Sequence, residues 1–464
     1  MESNKQPLKT PLQKAARDGF TTGLGVILVT MGSAVGLGNI WKFPYMVGAF
    51  GGAAFIIVYL ISTLLVGLPV MISEHMLGRT AKADAITTLQ KLAPKKQPWW
   101  LIGASGVLAA FVIMAFYSEV IGWVLAYIVK AASGSLLTTD PNVTGAAFAQ
   151  VIGNPWLSLI VQWIVIIYVS VIILAGVSKG IEAAVKKLMP ALLIMLLIVC
   201  IRSLTLPGAG EGVAFLFEPD FSKLTGAAIM TALGLAFFKL SIGMGTMITY
   251  GSYFRDDQDI PISATKVMLG DLGVSLLAGL AIFPAVFVYG VQPDAGPSLL
   301  FITIPTVFAS MPAGNIFMLI FFVLSAVAAT GAILSLFEVP VAFLSDHYGM
   351  SRKKATLSTA IALALVGSLA ALSSNVLSGV SIFGLNFFDL FDYVSQNILL
   401  PVGGLFICIF VGWVWGFGKI KDALSNKGDL QNSGIIRVFF FLVRWVSPIL
   451  ILVILLSGLG VIKI

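Results

Sequence analysis

Gly32-Ser33-Ala34-Val35-Gly36-Leu37-Gly38-Asn39-Ile40-Trp41-Lys42-Phe43-Pro44 interrupts an apolar segment spanning residues 20–45. The segment is long enough to cross a bilayer. Three glycines weaken its helix, and Asn39 and Lys42 are polar at membrane depth. Broken helix there is tolerated only where protein or a watery cavity satisfies the freed amides and carbonyls. The stretch therefore marks a candidate binding site. A close-packing face for a neighbouring helix is the other reading of the same small residues.

The surrounding chain is built for a membrane. Of its 464 residues 58% are hydrophobic and only 11% charged, where a soluble protein carries about a quarter charged. About eleven apolar spans follow one another, which predicts an all-α polytopic membrane protein. They fall near residues 20–45, 51–78, 99–131, 156–175, 178–204, 224–253, 260–290, 314–346, 353–373, 384–416 and 434–461. Lys and Arg cluster in alternate loops, which accounts for the net charge of +7 without nucleic acid. That alternation predicts multi-pass insertion in the cell's inner (plasma) membrane, with a cytoplasmic N-terminus and an outside C-terminus. Cys200 and Cys408 both lie in apolar spans, so no disulfide framework or metal cluster is expected. The polar, basic first nineteen residues do not read as a signal peptide.

A second interruption, Phe237-Phe238-Lys239-Leu240-Ser241-Ile242-Gly243-Met244-Gly245, falls in the sixth span. It lies five spans after the first, so spans one to five and six to ten run in opposite senses. Matching breaks in two inverted halves point to a transporter site at the midplane. The expected organisation is a cytoplasmic segment (1–19), a first repeat (20–204), a second repeat (205–416), and a loop with an eleventh span (417–464).

At these residues the sequence resembles the neurotransmitter:sodium symporter family. The motifs are GSAVGLGNIWKFPY, the glycine-rich turn at 51–55, Phe116-Tyr117 with Trp123, FFKLSIGMG followed by ITYGSYFRDDQD, and FFDLFDY. The resemblance implies the LeuT-type five-plus-five inverted repeat with helices 1 and 6 broken. It also implies symport of an amino acid by alternating access. The amides of Leu37 and Gly38 and the Tyr117 hydroxyl would take the substrate carboxylate, as helix N-terminal amides do. Carbonyls of Ala34 and Phe238 would take its ammonium, with Ser241 beside them. Ile113, Phe238, Met244, Ala332 and Leu336 match the side-chain subsite, which suggests a hydrophobic substrate. Gly36 stands where monoamine-transporting relatives carry an aspartate, so the substrate should bring its own carboxylate. Lys42 and Asp392 match an outer gate, and Arg17 and Asp346, supported by Tyr253, an inner one.

Two departures from the family pattern stand out. The first sodium site of the family draws on positions matching Ala34 and Asn39, a threonine and a seventh-span asparagine. The last two are Lys239 and Asp271 here. We expect the Lys239 ammonium to replace that sodium and to bind the substrate carboxylate directly; a structural ion pair is the competing reading. The second sodium site would use carbonyls of Gly32, Val35 and Ala328 and two hydroxyls. The hydroxyl positions are Gly331 and Ala332, and Thr330 is one residue early, in register only if span eight bulges. No chloride is expected, because Leu235 and Lys239 replace two of its ligands although Tyr59 and Ser275 match. A proton-coupled or sodium-independent transporter, or an amino-acid sensor, are alternatives. No Walker loop, HExxH pair or nucleophile elbow suggests an enzyme or an organic cofactor.

Overall fold

The computed structural model describes residues 18–290 and 299–462. Arg17, the expected partner of Asp346, lies outside them. Nine described helices are long and apolar enough to cross a bilayer. They are Ala53–Ala81 (span 2), Trp100–Ala132 (span 3), Pro155–Leu174 (span 4), Val177–Leu204 (span 5), Ile260–Val288 (span 7), Gly314–Tyr348 (span 8), Arg352–Ala371 (span 9), Phe387–Trp415 (span 10) and Ser433–Gly458 (span 11). Gly23–Ala34 and Gly38–Ala49 form span 1, bent by 52° at its break. Gly226–Lys239 and Thr246–Gly251 form span 6. The architecture is thus all-α, with spans 1 and 6 interrupted as the glycines predicted.

Each break has a local cause. In span 1 the helix closes with the Val35 amide on the Met31 carbonyl, and Val35 itself is extended (φ −84°, ψ 101°). Asn39 then bridges the gap: its Oδ1 accepts from the Gly36 amide at 3.1 Å. Span 6 unwinds more fully. Ser241, Gly243 and Gly245 all have positive φ (52°, 77° and 73°), a region that favours glycine. Gly243 also lies against span 10, where a Cβ would come within 2.4 Å of the Leu400 carbonyl oxygen.

A buried acid holds this loop. Glu74 of span 2 accepts the Gly243 amide at 2.7 Å and is 1% exposed. By sequence position alone, Glu74 and Arg79 near a span end read as side chains snorkelling to the interface, and His75 beside them as solvated or capping; the structure corrects all three. The unwound turn of span 6 exposes amides that need an acceptor, and span 2 supplies one. Arg79 is buried, donating to the carbonyls of Gln258 and Ala423. His75 is buried against Met247 and Phe254. Short helices that the span count passed over, such as Pro141–Gly153 and Phe417–Leu424, fill the connections.

Candidate substrate and ion site

Ser33, Ala34, Gly36, Gly38, Ile113, Tyr117, Phe238, Lys239, Ser241, Met244, Ala332 and Leu336 line one cavity where the two breaks meet. The cavity is narrow, about 30 Å³, room for one or two waters. Ten of the eleven residues expected at the substrate line it. The other, Leu37, turns its amide to the Tyr117 hydroxyl at 3.3 Å. Ser33 and Gly36 are additions that the substrate reading lacked. The broken ends are tied directly to each other and to span 8: Ser241 Oγ donates to the Ser33 carbonyl at 2.9 Å, and Ser33 Oγ to Ser335 Oγ at 2.7 Å. A Cβ on Gly36 would lie 3.1 Å from both the Tyr117 hydroxyl and the Ala332 Cβ. The break therefore has little room for a protein carboxylate at this position. A wider cleft of about 820 Å³ lies among residues of mixed charge at the end of span 2 and in neighbouring connections, including Arg79, Lys82, Asp256 and Lys427; neither break lines it.

Beside the cavity sits a buried ion pair. Lys239 Nζ is 3.0 Å from Asp271 Oδ2, with both side chains 0–1% exposed. The ammonium also donates to Ser275 Oγ. It lies over the rings of Phe43 and Tyr59, 4.4 and 4.6 Å from their centroids. Asp271 is fully engaged: Oδ1 accepts from Asn39 Nδ2 at 2.7 Å, and Oδ2 from the Tyr59 hydroxyl at 3.0 Å. Asn39 Nδ2 also reaches Ser275 Oγ at 2.9 Å. An unpaired charge here would be very costly, and the carboxylate with two aromatic faces compensates it. The ammonium expected on the substrate carboxylate is instead committed to Asp271, Ser275 and these rings, while the stem passes Gly38. The pair as a whole is neutral.

The residues matching the second sodium site are arranged differently. Span 8 runs as one α-helix from Gly314 to Tyr348, with no bulge. The Thr330 hydroxyl consequently stays out of register: it donates to the Ala326 carbonyl at 2.8 Å and accepts from Tyr168 of span 4. Gly331 packs on Gly32 so closely that a Cβ would sit 2.3 Å from the Gly32 carbonyl oxygen. No hydroxyl from positions 330–332 points between the Gly32 carbonyl and span 8, and the bulge reading is corrected.

The outer gate differs from expectation in detail. Lys42 does not meet Asp392 directly. Gln396 intervenes, accepting from Lys42 and donating to Asp392 one turn before it. Lys42 Nζ lies 4.6 Å from the centroid of the Phe238 ring, which lines the cavity. At the Lys- and Arg-rich end Tyr253 donates to Glu338 Oε1 at 2.7 Å. Arg352 grips Glu338 with two bonds, 3.0 and 2.7 Å. Asp346 Oδ2 accepts the Asp84 amide at 2.9 Å. Gln396 was legible as the i+4 neighbour of Asp392; nothing in the sequence pointed to Tyr168. Glu119 of span 3 is buried and accepts the Trp123 indole at 2.7 Å.

The model of the sodium:neurotransmitter symporter family matches residues 17–144 and 146–463. The chain belongs to that family. It is therefore a multi-pass membrane transporter and not an enzyme. It is 40% identical to an uncharacterized sodium-dependent transporter of Bacillus subtilis (strain 168), over 98% of this chain and 99% of that one. It is 25% identical to the sodium- and chloride-dependent taurine transporter of Rattus norvegicus, over 88% of this chain and 73% of the other. Among solved structures, MhsT in complex with L-phenylalanine is 42% identical with a TM-score of 0.87, covering 96% of this chain and all of that one. Membership in the family explains why two helices surrender their hydrogen bonds at one depth: freed amides and carbonyls are its binding groups.

Proposed function

We propose that this symporter-family protein carries an α-amino acid with an apolar side chain by alternating access. The observation that carries this reading is the composition of the cavity. The two breaks contribute Ser33, Ala34, Gly36, Gly38 and Ser241 to its lining, and Ile113, Phe238, Met244, Ala332 and Leu336 supply its apolar side chains. The amides of Leu37 and Gly38, with the Tyr117 hydroxyl, suit a carboxylate. Carbonyls of Ala34 and Phe238 and the hydroxyl of Ser241 suit an ammonium. The tight fit around Gly36 favours a ligand that brings its own acid group. MhsT, bound to L-phenylalanine, supports the same substrate class. The cavity must widen to admit such a ligand, and the Phe238 lid under Lys42 is the element to move.

Lys239 takes the place of the first sodium in this reading, supplying its positive charge from the protein. It acts through Asp271 and Asn39 on the span 1 break rather than by touching the ligand. Lys42, Gln396 and Asp392 close one face; Glu338, Arg352 and Tyr253, with Asp346, close the other. The basic end faces the cytoplasm, as loop charge favours.

Reconstituted protein tests this. Vesicles loaded with unlabelled amino acid should take up labelled L-phenylalanine, L-leucine or L-methionine saturably, and Tyr117→Phe should lower the affinity about tenfold, the effect of losing one charge-assisted hydrogen bond. Binding without flux would make the protein a sensor. Neither binding nor flux would remove the amino-acid reading.

A further inference from the structure

We infer that this transporter binds and moves its substrate without sodium and without chloride, because a buried ion pair takes the first-sodium and chloride positions of its family and the second sodium position lacks side-chain oxygens. The inference rests on the amino-acid reading above.

At the first position the family's hydroxyl and amide ligands are replaced together, by Lys239 and Asp271. The two changes compensate each other. A cation arrives with its own carboxylate, 3.0 Å away, and both side chains are buried. The amide oxygen of Asn39, which would face a metal ion, instead accepts the Gly36 amide at 3.1 Å. Its nitrogen faces Asp271 and Ser275. A sodium ion placed here would meet an ammonium and the donor side of an amide, both repulsive.

The chloride position is consumed by the same pair. Tyr59 donates to Asp271 at 3.0 Å, so the hydroxyl that would hold an anion already holds a carboxylate. Lys239 and Asp271 thereby supply one fixed positive and one fixed negative charge in place of a sodium and a chloride. The net charge of the region is the same, which leaves the electrostatics around the Leu37 and Gly38 amides intact with no ion entering.

The second position is closed by contact rather than by charge. A hard cation needs a shell of oxygens. Gly331 and Ala332 provide none from their side chains, and the Thr330 hydroxyl is bonded to Ala326 and Tyr168. Gly331 packs closely on Gly32, leaving no space for a side chain beside the Gly32 carbonyl. Of the expected ligand set only backbone carbonyls remain, with no side-chain oxygen. The residues of this chain therefore do not fit sodium at either position.

The test uses the full-length protein in detergent and in liposomes. Its melting temperature, without substrate, is measured in sodium chloride, choline chloride and sodium gluconate of equal ionic strength. Labelled L-phenylalanine, L-leucine and L-methionine are then measured for binding and for counterflow in the same salts. The inference expects melting temperatures that coincide and affinities and counterflow rates within about twofold across the salts, under 0.5 kcal/mol. A sodium- or chloride-specific rise in melting temperature, or a tenfold or greater loss of affinity in choline or gluconate, would overturn it, since a bound ion must stabilise the state that binds it. Absence of amino-acid binding in every salt would overturn the amino-acid reading, and a salt-specific melting shift would overturn the inference about ions. The substrate-free melting comparison separates the cases, because it reports on ion binding alone.

Discussion

At Gly38 and Asn39 the broken first span is held by Lys239, Asp271, Ser275 and Tyr59, a dense set of charges and hydrogen bonds. At Gly32, on the other side of the break, it is held by glycine on glycine, with no polar side chain between Gly32 and Gly331. A coordination site can thus be filled in two ways: by importing a charge with its counter-charge, or by letting two backbones touch. The first way makes a region intolerant of losing either partner but tolerant of losing both. The second makes it intolerant of size and indifferent to charge.

The largest expected effect strikes the charged region. Asp271→Leu leaves the Lys239 ammonium buried and uncompensated, and should cost about 3–5 kcal/mol of stability. Lys239→Met with Asp271→Leu should recover most of that loss, read as the melting temperature in detergent. If the double variant is no better than the single one, the pair is not the unit described. Gly331→Ser probes the contact region. Its side chain has no space beside the Gly32 carbonyl, and overpacking of this kind costs about 1–3 kcal/mol. Gly331→Ser should also weaken amino-acid binding by moving the break, whereas a stable, fully active variant would show the contact to be loose.

Smaller effects mark where the comparison ends. Glu74→Leu strips the Gly243 amide of its acceptor, and should cost about 1–3 kcal/mol with faster hydrogen exchange at the span 6 loop. Tyr253→Phe removes one bond to Glu338, a change of about 0.5–1.5 kcal/mol that leaves the Arg352 grip in place. The exposed pair Lys82 and Asp256, 3.0 Å apart, should contribute at most about 1 kcal/mol in a double-mutant cycle. A hydrogen bond from Lys82 and its charge hold the Asp256 carboxyl below the usual carboxylate range. Its contribution is therefore present above the unfolded-state pKa and fades as pH falls through the lower folded value. High salt should erase it, while the buried Lys239 pair should persist.

Most of the fold could be read along the chain. Spans of apolar residues can be counted, and loops rich in Lys and Arg can be seen. The two breaks declare themselves through Gly32, Gly36 and Gly38 and through Gly243 and Gly245, because glycine weakens a helix wherever it stands. The substrate subsite came from motif resemblance, and the unusual Lys239 invited a partner that the sequence itself offered in Asp271. Three of the failures share one cause. Glu74, Arg79 and His75 sit near span ends, where sequence position suggests water, yet the packing of spans 2, 6 and 10 seals them in.

What the amino-acid order determined alone is therefore local: where helix is possible, where it must give way, and that Lys239 needs a counter-charge. Tertiary structure decided what each polar group faces. It turned the Lys239 ammonium toward Asp271, Ser275 and two rings, put Gln396 between Lys42 and Asp392, and drew the Thr330 hydroxyl to Tyr168. Helix periodicity fixes only the direction in which a side chain leaves its own axis. The partner it meets depends on which neighbouring helix lies there, and how closely, and that is a property of the packed bundle.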